Sequence, residues 1–172
     1  TQLWDRAPDV MRSALDVHDA TMRSAIARHG GYEVKTEGDA FMVAFASAGA
    51  AVAWCLDVQR ALLEAAWPEA LAAITGERPP ERGAPWRGLA VRMGIHVGAP
   101  DCRPSPLTGR MDYFGPTVNR AARVASAGHG GQVLASHAVQ IVTGGAWTDL
   151  GVHRLKGLTE PERLWQLAPP GL

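Results

Sequence analysis

The sequence has few cysteines, no excess of either charge and no long apolar run. Its 172 residues include two cysteines, which make no disulfide framework and lack the spacing of zinc ligands. Seventeen basic and seventeen acidic residues cancel, so no overall field attracts nucleic acid or an anionic membrane. No stretch approaches the roughly twenty apolar residues that cross a bilayer. We therefore expect a cytoplasmic segment without nucleic-acid or membrane contacts, either free-standing or the intracellular domain of a larger or membrane-anchored protein.

Two common catalytic patterns are also absent from the sequence. No glycine-rich loop ends in Lys-Ser or Lys-Thr, which argues against a P-loop nucleotide hydrolase. The six histidines show neither helical nor close spacing, so a zinc hydrolase has little support. Any polyanion that the protein binds must therefore be held by a local site of another kind.

The distribution of apolar residues predicts alternating helices and strands. Helical spacing over residues 8–30 and 47–66 predicts two long helices, and between them two strands rich in Val, Phe and Tyr flank a glycine turn. Further segments are expected as strands at 89–98, 132–135, 152–155 and 163–167, and as helices at 116–128 and from about 137. This order predicts an α+β fold of the ferredoxin-like kind, with helices packed on a mostly antiparallel sheet.

We interpret residues 1–172 as one domain with an irregular insertion and a short tail. Residues 67–88 lose all periodicity and contain four prolines, which indicates a long loop that is either a functional flap or a disordered insertion. Residues 99–111 are expected to form a long polar connection. Residues 168–172 are expected to be a C-terminal tail.

The hairpin predicted at residues 32–45 carries an unusual pair of charges. Lys35 and Asp39 lie four residues apart around Gly38, between two apolar strands. This spacing puts a cation and a carboxylate of the type that binds metals together at a hairpin tip.

A second polar run follows about seventy residues later in the chain. Asp112 lies on a predicted turn, and Asn119 and Arg123 lie on the helix expected to begin near Pro116. Because residues four apart are neighbours on a helix surface, Asn119 and Arg123 share one face.

These runs together resemble the class III nucleotide cyclases, most of all the bacterial and kinetoplastid-type adenylate cyclases. The resemblance rests on Lys-Thr-Glu-Gly-Asp-Ala-Phe at 35–41, Asp-Tyr-Phe-Gly at 112–115 and Leu-Lys-Gly at 155–157. It covers nearly the whole chain. It implies a cyclase fold and the conversion of ATP to 3′,5′-cyclic AMP and pyrophosphate. It also implies two Mg²⁺ or Mn²⁺ ions per site and a second copy of the domain as partner in a head-to-tail homodimer.

The resemblance gives Asp39 a metal-binding role and gives Lys35 and Asp112 the recognition of the base. Carboxylate oxygens suit Mg²⁺, which must neutralise charge on the triphosphate. Adenine offers an acceptor at N1 and a donor at N6, which fit an ammonium and a carboxylate, whereas guanine presents the reverse pattern. ATP is therefore expected over GTP.

The remaining site residues follow from the same resemblance. Asn119 is expected to orient the ribose, Arg123 to neutralise charge on the α-phosphate, and Lys156 to hold the outgoing phosphates. Each of them has a plain structural alternative as an exposed polar residue, and we assign that role to Arg120. His96 is expected to serve packing rather than chemistry.

In the implied dimer, each cleft is lined by one set of residues from one subunit and a second set from its partner. One subunit supplies Lys35, Asp39 and Asp112, and its partner supplies Asn119, Arg123 and Lys156. The family also opens with a strand bearing another metal-binding aspartate, and this sequence resembles the family only from just after that strand. We therefore expect little turnover from a chain that begins at Thr1, and activity if that strand precedes it in a longer protein.

Two alternatives to an adenylate cyclase stay open. A guanylate cyclase is disfavoured by Lys35 and Asp112. A catalytically silent cyclase-like module for regulation or dimerisation is disfavoured by the intact set of polar site residues, which a structural module does not need.

Overall fold

The computed structural model of the protein describes residues 2–75 and 88–167. In chain order, the elements of these ranges are α1 Gln2–Arg6, α2 Pro8–Arg28, β1 Tyr32–Glu37, β2 Ala40–Ala44, α3 Ala48–Glu64, α4 Glu69–Thr75, β3 Met93–Ile95, β4 Asp101–Pro104, β5 Met111–Phe114, α5 Pro116–Ala127, β6 Val133–Ser136, α6 His137–Thr143, β7 Trp147–His153 and β8 Glu162–Leu167. None of the helices in these ranges is long and apolar enough to cross a membrane.

The two long helices form where the apolar periodicity predicts them. Helix α2 begins at Pro8, whose fixed φ and missing N–H suit a first helical position. Helix α3 is capped by Ser47, whose hydroxyl accepts a hydrogen bond from the Ala50 N–H at 3.2 Å. Both predictions are confirmed, with helix ends slightly inside the expected ones.

The main sheet has four strands in the order β3-β6-β8-β7. Strand β3 pairs with β6 in parallel, whereas β8 pairs with β6 and with β7 antiparallel. Two further antiparallel hairpins, β1-β2 and β4-β5, form separate two-stranded sheets. The predicted α+β class with a mostly antiparallel sheet is confirmed.

Strand β6 is buried on both sides because helices cover both faces of the sheet. Val133 and Ala135 pack in the main core with residues of α2 and α3. Leu134 packs instead with Val124 of α5 and Leu164 of β8. Successive strand residues point to opposite faces, so the sheet lies between α2 and α3 on one side and α5 on the other.

The structure corrects two predictions about irregular segments. Part of the loop expected at 67–88 is helix α4, which buries Leu71 against Met11 and Ala14 of α2. The short helix follows Pro68 and is too brief to show a periodic pattern. Residues 76–87 of this loop, and the tail at 168–172, lie outside the described residues.

The second correction concerns the polar connection expected at 99–111. It contains strand β4 and the first residue of β5, and β4 is exposed along its whole length. A strand exposed along its whole length shows no apolar alternation, so the residues of β4 have the pattern of a loop. The strand expected at 89–98 is likewise shorter, Met93–Ile95.

Gly94 is expected to be intolerant of any side chain, since α5 packs directly against β3 there. A Cβ at Gly94 would lie 2.3 Å from the backbone nitrogen of Ala125. We expect Gly94→Ala to lower the free energy of unfolding by roughly 1–3 kcal/mol, measured by urea denaturation. Gly49→Ala is the matched control, because open space surrounds that position in α3. Because alanine favours a helix over glycine, Gly49→Ala should raise the free energy of unfolding by at most about 1 kcal/mol. Equal losses of stability in the two variants would contradict the expectation.

Candidate active site

A bulge in strand β1 directs the side chain of Lys35. Glu33 pairs with Val43 and Lys35 pairs with Met42, so Val34 is an extra residue on this strand. Val34 is buried, whereas Lys35 is exposed. Bulges often redirect a side chain in this way, and here the redirected residue is the lysine predicted to contact the base.

Lys35 meets Asp112 in the folded chain. Asp112 lies within strand β5, paired with Arg103 of β4, and not on a turn as predicted. The lysine Nζ lies 3.3 Å from Oδ1 and 3.5 Å from Oδ2 of the aspartate. Oδ1 also accepts a hydrogen bond from the Tyr113 N–H at 2.8 Å. The structure thus joins the two residues predicted to read the base, which are 77 positions apart in the sequence.

The charges of this pair are open to a ligand. The Lys35 and Asp112 side chains keep 43% and 37% of their surface exposed, and an exposed ion pair is worth at most about 1 kcal/mol. The pair borders a cavity of about 300 Å³ between β1 and the β4-β5 hairpin. A polar ring edge entering this cavity would meet one donor-only and one acceptor-only group.

Asp39 lies at the tip of the β1-β2 hairpin. The turn is made with Gly38, whose φ of 62° a side chain would disfavour. Asp39 is exposed, so its carboxylate is accessible from solvent. Hard oxygen ligands of this kind fit Mg²⁺ or Mn²⁺, and Asp39 is the residue predicted to hold such an ion.

Arg123 lies beside the turn that carries Lys156. A Cβ built on Gly157 would be 3.7 Å from Nε of Arg123, so the guanidinium covers this glycine. Asn119 and Arg123 lie on α5, one turn apart. The fold therefore places Asn119 and Arg123 on α5 and brings Gly157, the neighbour of Lys156 in the chain, against the Arg123 guanidinium.

Arg120 is wrongly predicted as a solvated helix residue. Its guanidinium Nη1 lies 2.6 Å from Oε2 of Glu162, whose side chain is only 7% exposed. The other carboxylate oxygen accepts a hydrogen bond from the His137 N–H at 3.2 Å. A buried carboxylate needs such partners, and Glu162 lies on β8, too far along the chain for helical spacing to reveal it. The ion pair anchors α5 and thereby its site residues.

His96 makes a hydrogen bond inside the fold. Its Nδ1 lies 2.7 Å from Oγ of the buried Ser136. Burial lowers the pKa of the His96 imidazole, and the charge of Arg120 lowers it further, although Glu162 opposes the shift. The neutral ring is therefore favoured in the folded state.

Comparison with known proteins places the chain in a family. The family model described as the adenylate and guanylate cyclase catalytic domain matches residues 1–167. The chain belongs to this family. The resemblance inferred from the Lys35, Asp112 and Lys156 runs is confirmed.

Relatives of the cyclase domain are found in fungi and trypanosomes. An adenylate cyclase of Mycosarcoma maydis is 50% identical over 139 residues, covering 79% of this chain and 6% of that protein. The receptor-type adenylate cyclase GRESAG 4.3 of Trypanosoma brucei brucei is 37% identical over 198 residues, covering 99% of this chain and 16% of that protein. The cyclase domain thus spans only a small part of the length of these relatives.

A solved structure of related fold agrees with this family. Adenylate cyclase from Trypanosoma brucei, studied in its monomeric state, superimposes with a TM-score of 0.87 at 35% identity. The superposition covers 99% of this chain and 85% of that one. The cyclase domain therefore has the same fold as the trypanosome adenylate cyclase over nearly the whole length of this chain.

Proposed function

We propose that the cyclase domain converts ATP to 3′,5′-cyclic AMP and pyrophosphate. The observation that carries this proposal is the contact between Lys35 and Asp112 at the edge of an open cavity. Adenine carries an acceptor at N1 beside a donor at N6, so two neighbouring side chains of opposite capacity suit its edge. Guanine would set a donor against the lysine and an acceptor against the aspartate, leaving both unpaired at roughly 1–3 kcal/mol each.

The reaction is an in-line displacement at the α-phosphorus. The 3′-oxygen of the ribose forms a bond to the α-phosphorus and loses its proton to water. The bond from the α-phosphorus to the oxygen bridging to the β-phosphate breaks, and pyrophosphate leaves with that oxygen. Positioning and charge neutralisation supply most of the catalysis in such a step.

The residues beside α5 serve the reacting phosphates. The planar guanidinium of Arg123 presents several donors to the α-phosphate oxygens as charge develops there. Asn119, one helical turn away, orients the ribose. Lys156, which precedes the glycine that lies against Arg123, holds the β- and γ-phosphates. Asp39 would hold Mg²⁺ or Mn²⁺, which when bound neutralises charge on the triphosphate and favours ionisation of the 3′-hydroxyl.

The working form is a head-to-tail dimer of two cyclase domains. Asp39 comes from one copy and Arg123 from the other, so each dimer has two equivalent sites. The dimer lets the hairpin of one copy and the α5 edge of the other enclose a single nucleotide.

The direct test is to incubate the full-length protein with ATP and Mg²⁺ or Mn²⁺ and to measure cyclic AMP. Cyclic AMP formed in preference to cyclic GMP from GTP supports the proposal. Equal or better turnover of GTP would identify a guanylate cyclase. Binding of ATP by a proven dimer without any product would identify a silent module.

Mixing two inactive variants is expected to restore activity. Asp39→Ala and Arg123→Ala should each be nearly inactive alone. A mixed dimer carries both changes in one site and leaves the other intact. Half of randomly mixed dimers are of this kind, so activity should recover to roughly a quarter of the unmodified level. The assay measures cyclic AMP after subunit exchange.

The control mixes Asp39→Ala with an Asp39→Asn partner. Every site of that mixture lacks the carboxylate, so no recovery is expected. Failure of Asp39→Ala and Arg123→Ala to complement, although they form mixed dimers, would contradict the shared site.

A further inference from the structure

Arg110 contacts strand β1 from the segment that leads into β5. Its guanidinium Nη2 donates a hydrogen bond to the backbone carbonyl of Glu33. The guanidinium also stacks on the Tyr32 ring, with Cζ 5.3 Å from the ring centroid. Arg110 thus bridges two parts of the chain that are far apart in sequence.

The two residues joined by this bridge each stand two positions before a residue proposed to read the base. Glu33 precedes Lys35 by two residues, and Arg110 precedes Asp112 by two residues. The Glu33 carbonyl belongs to the first residue of the β1 bulge. One hydrogen bond therefore connects the backbone that directs Lys35 to the backbone that carries Asp112.

No backbone ladder performs this task, because β1 and β5 belong to different sheets. The ion pair between Lys35 and Asp112 is exposed and contributes little to holding them together. A further direct link is the Tyr32 hydroxyl, which donates to the Met111 carbonyl at 3.2 Å. The relative placement of the pair therefore depends mainly on Tyr32 and Arg110.

The acceptor of the Arg110 hydrogen bond is itself firmly held. The Glu33 carboxylate accepts hydrogen bonds from Nε of Arg23 at 3.1 Å and from the Thr36 hydroxyl at 2.7 Å. Partial burial raises the pKa of the Glu33 carboxyl, but these hydrogen bonds outweigh it, so the pKa lies below its ordinary value. Glu33 stays ionised and fixed to α2, and Arg110 aligns the β4-β5 hairpin against this fixed point.

We propose that Arg110 is a positioning residue for purine recognition, acting through its hydrogen bond to the Glu33 carbonyl and its stacking on Tyr32. It sets the separation of the Lys35 ammonium and the Asp112 carboxylate so that both reach the edge of one adenine. This inference rests on the proposed adenylate cyclase activity. Arg110 lies outside the runs that indicated the family, and nothing in its sequence context marks it.

The test compares Arg110→Gln, Arg110→Lys and Arg103→Gln in the full-length protein. Arg103 is on the same hairpin, directly opposite Asp112 in β4, but its guanidinium stacks on Phe114 at 4.7 Å. Arg103→Gln therefore removes the same charge from the hairpin without touching the contact to β1.

Arg110→Gln is expected to raise KM for ATP and to lower the ratio of kcat/KM for ATP over GTP, each by about tenfold. The value of kcat for ATP should change by less than about twofold, because the groups at the reacting phosphorus are untouched. Arg110→Lys, which keeps a donor and a cation over Tyr32, should recover most of the selectivity. Arg103→Gln should behave like the unmodified protein. Unchanged selectivity in Arg110→Gln, or an equal loss in Arg103→Gln, would overturn the inference.

A second measurement separates this inference from the proposed activity. In the nucleotide-free protein, nuclear Overhauser effects between the side chains of Lys35 and Asp112 are expected to disappear in Arg110→Gln and to persist in Arg103→Gln. Their persistence in Arg110→Gln refutes the positioning role whether or not cyclic AMP is made. If Arg110→Gln abolishes these Overhauser effects but the unmodified protein makes no cyclic AMP, only the adenylate cyclase activity is refuted.

Discussion

Replacing Arg123 by alanine is expected to lower kcat for cyclic AMP formation by about 10²–10³-fold. The guanidinium lies beside Gly157, and in the proposed mechanism its donors meet the charge that develops on the α-phosphate. Because this charge grows as the reaction proceeds, the loss should fall on kcat and leave KM for ATP nearly unchanged. Steady-state kinetics with ATP and Mn²⁺ measure both constants.

Arg12→Ala is the control for loss of a surface arginine. Arg12 pairs with Asp9 on the exposed side of α2, where both side chains are largely in solvent. Its removal should leave kcat and KM unchanged. A KM increase in Arg123→Ala without a fall in kcat would instead assign Arg123 to ground-state binding, against the role proposed for it.

Exchanging the hydrogen-bonding capacities of Lys35 and Asp112, the two residues proposed to read the base, is expected to reverse the nucleotide preference. In the double variant Lys35→Glu and Asp112→Ser, a carboxylate faces the N1–H and 2-amino donors of guanine and a hydroxyl faces its O6 acceptor. The ratio of kcat/KM for ATP over GTP should fall by at least about 100-fold, because two mismatched polar contacts become matched for the other base.

Two further variants test whether the change in nucleotide preference is specific to the exchange at Lys35 and Asp112. Lys35→Glu alone sets two carboxylates side by side at the 3.3 Å contact, so turnover of both nucleotides should drop. Lys156→Glu reverses a charge proposed to face phosphates, and it should impair ATP and GTP equally. If Lys156→Glu changed the ratio as strongly as the double variant does, recognition of the base by Lys35 and Asp112 would be refuted.

Local sequence patterns are sufficient to predict three helices and one buried strand. Helices α2, α3 and α5 follow from apolar spacing, proline at a first position and a serine cap. Strand β6 has no alternation because both of its faces are covered, yet its short apolar run still marked it as a strand. Helix α4 and hairpin β4-β5 do not follow from local patterns, since a two-turn helix and two four-residue strands, one of them fully exposed, carry little periodicity.

The chain's own residues were enough to indicate the family and the identity of the side chains proposed for the site, because those side chains cluster in short runs around Lys35, Asp112 and Lys156. Only the tertiary structure shows which of these side chains contact each other and which neighbouring residues hold them in place. The contacts of Lys35 with Asp112, Arg110 with Glu33 and Arg120 with Glu162 join positions 77, 77 and 42 residues apart. Such contacts form when the helices close over both faces of the sheet and the two hairpins meet. No local spacing in the sequence encodes that approach, because the energy that drives it is spread over the whole buried core.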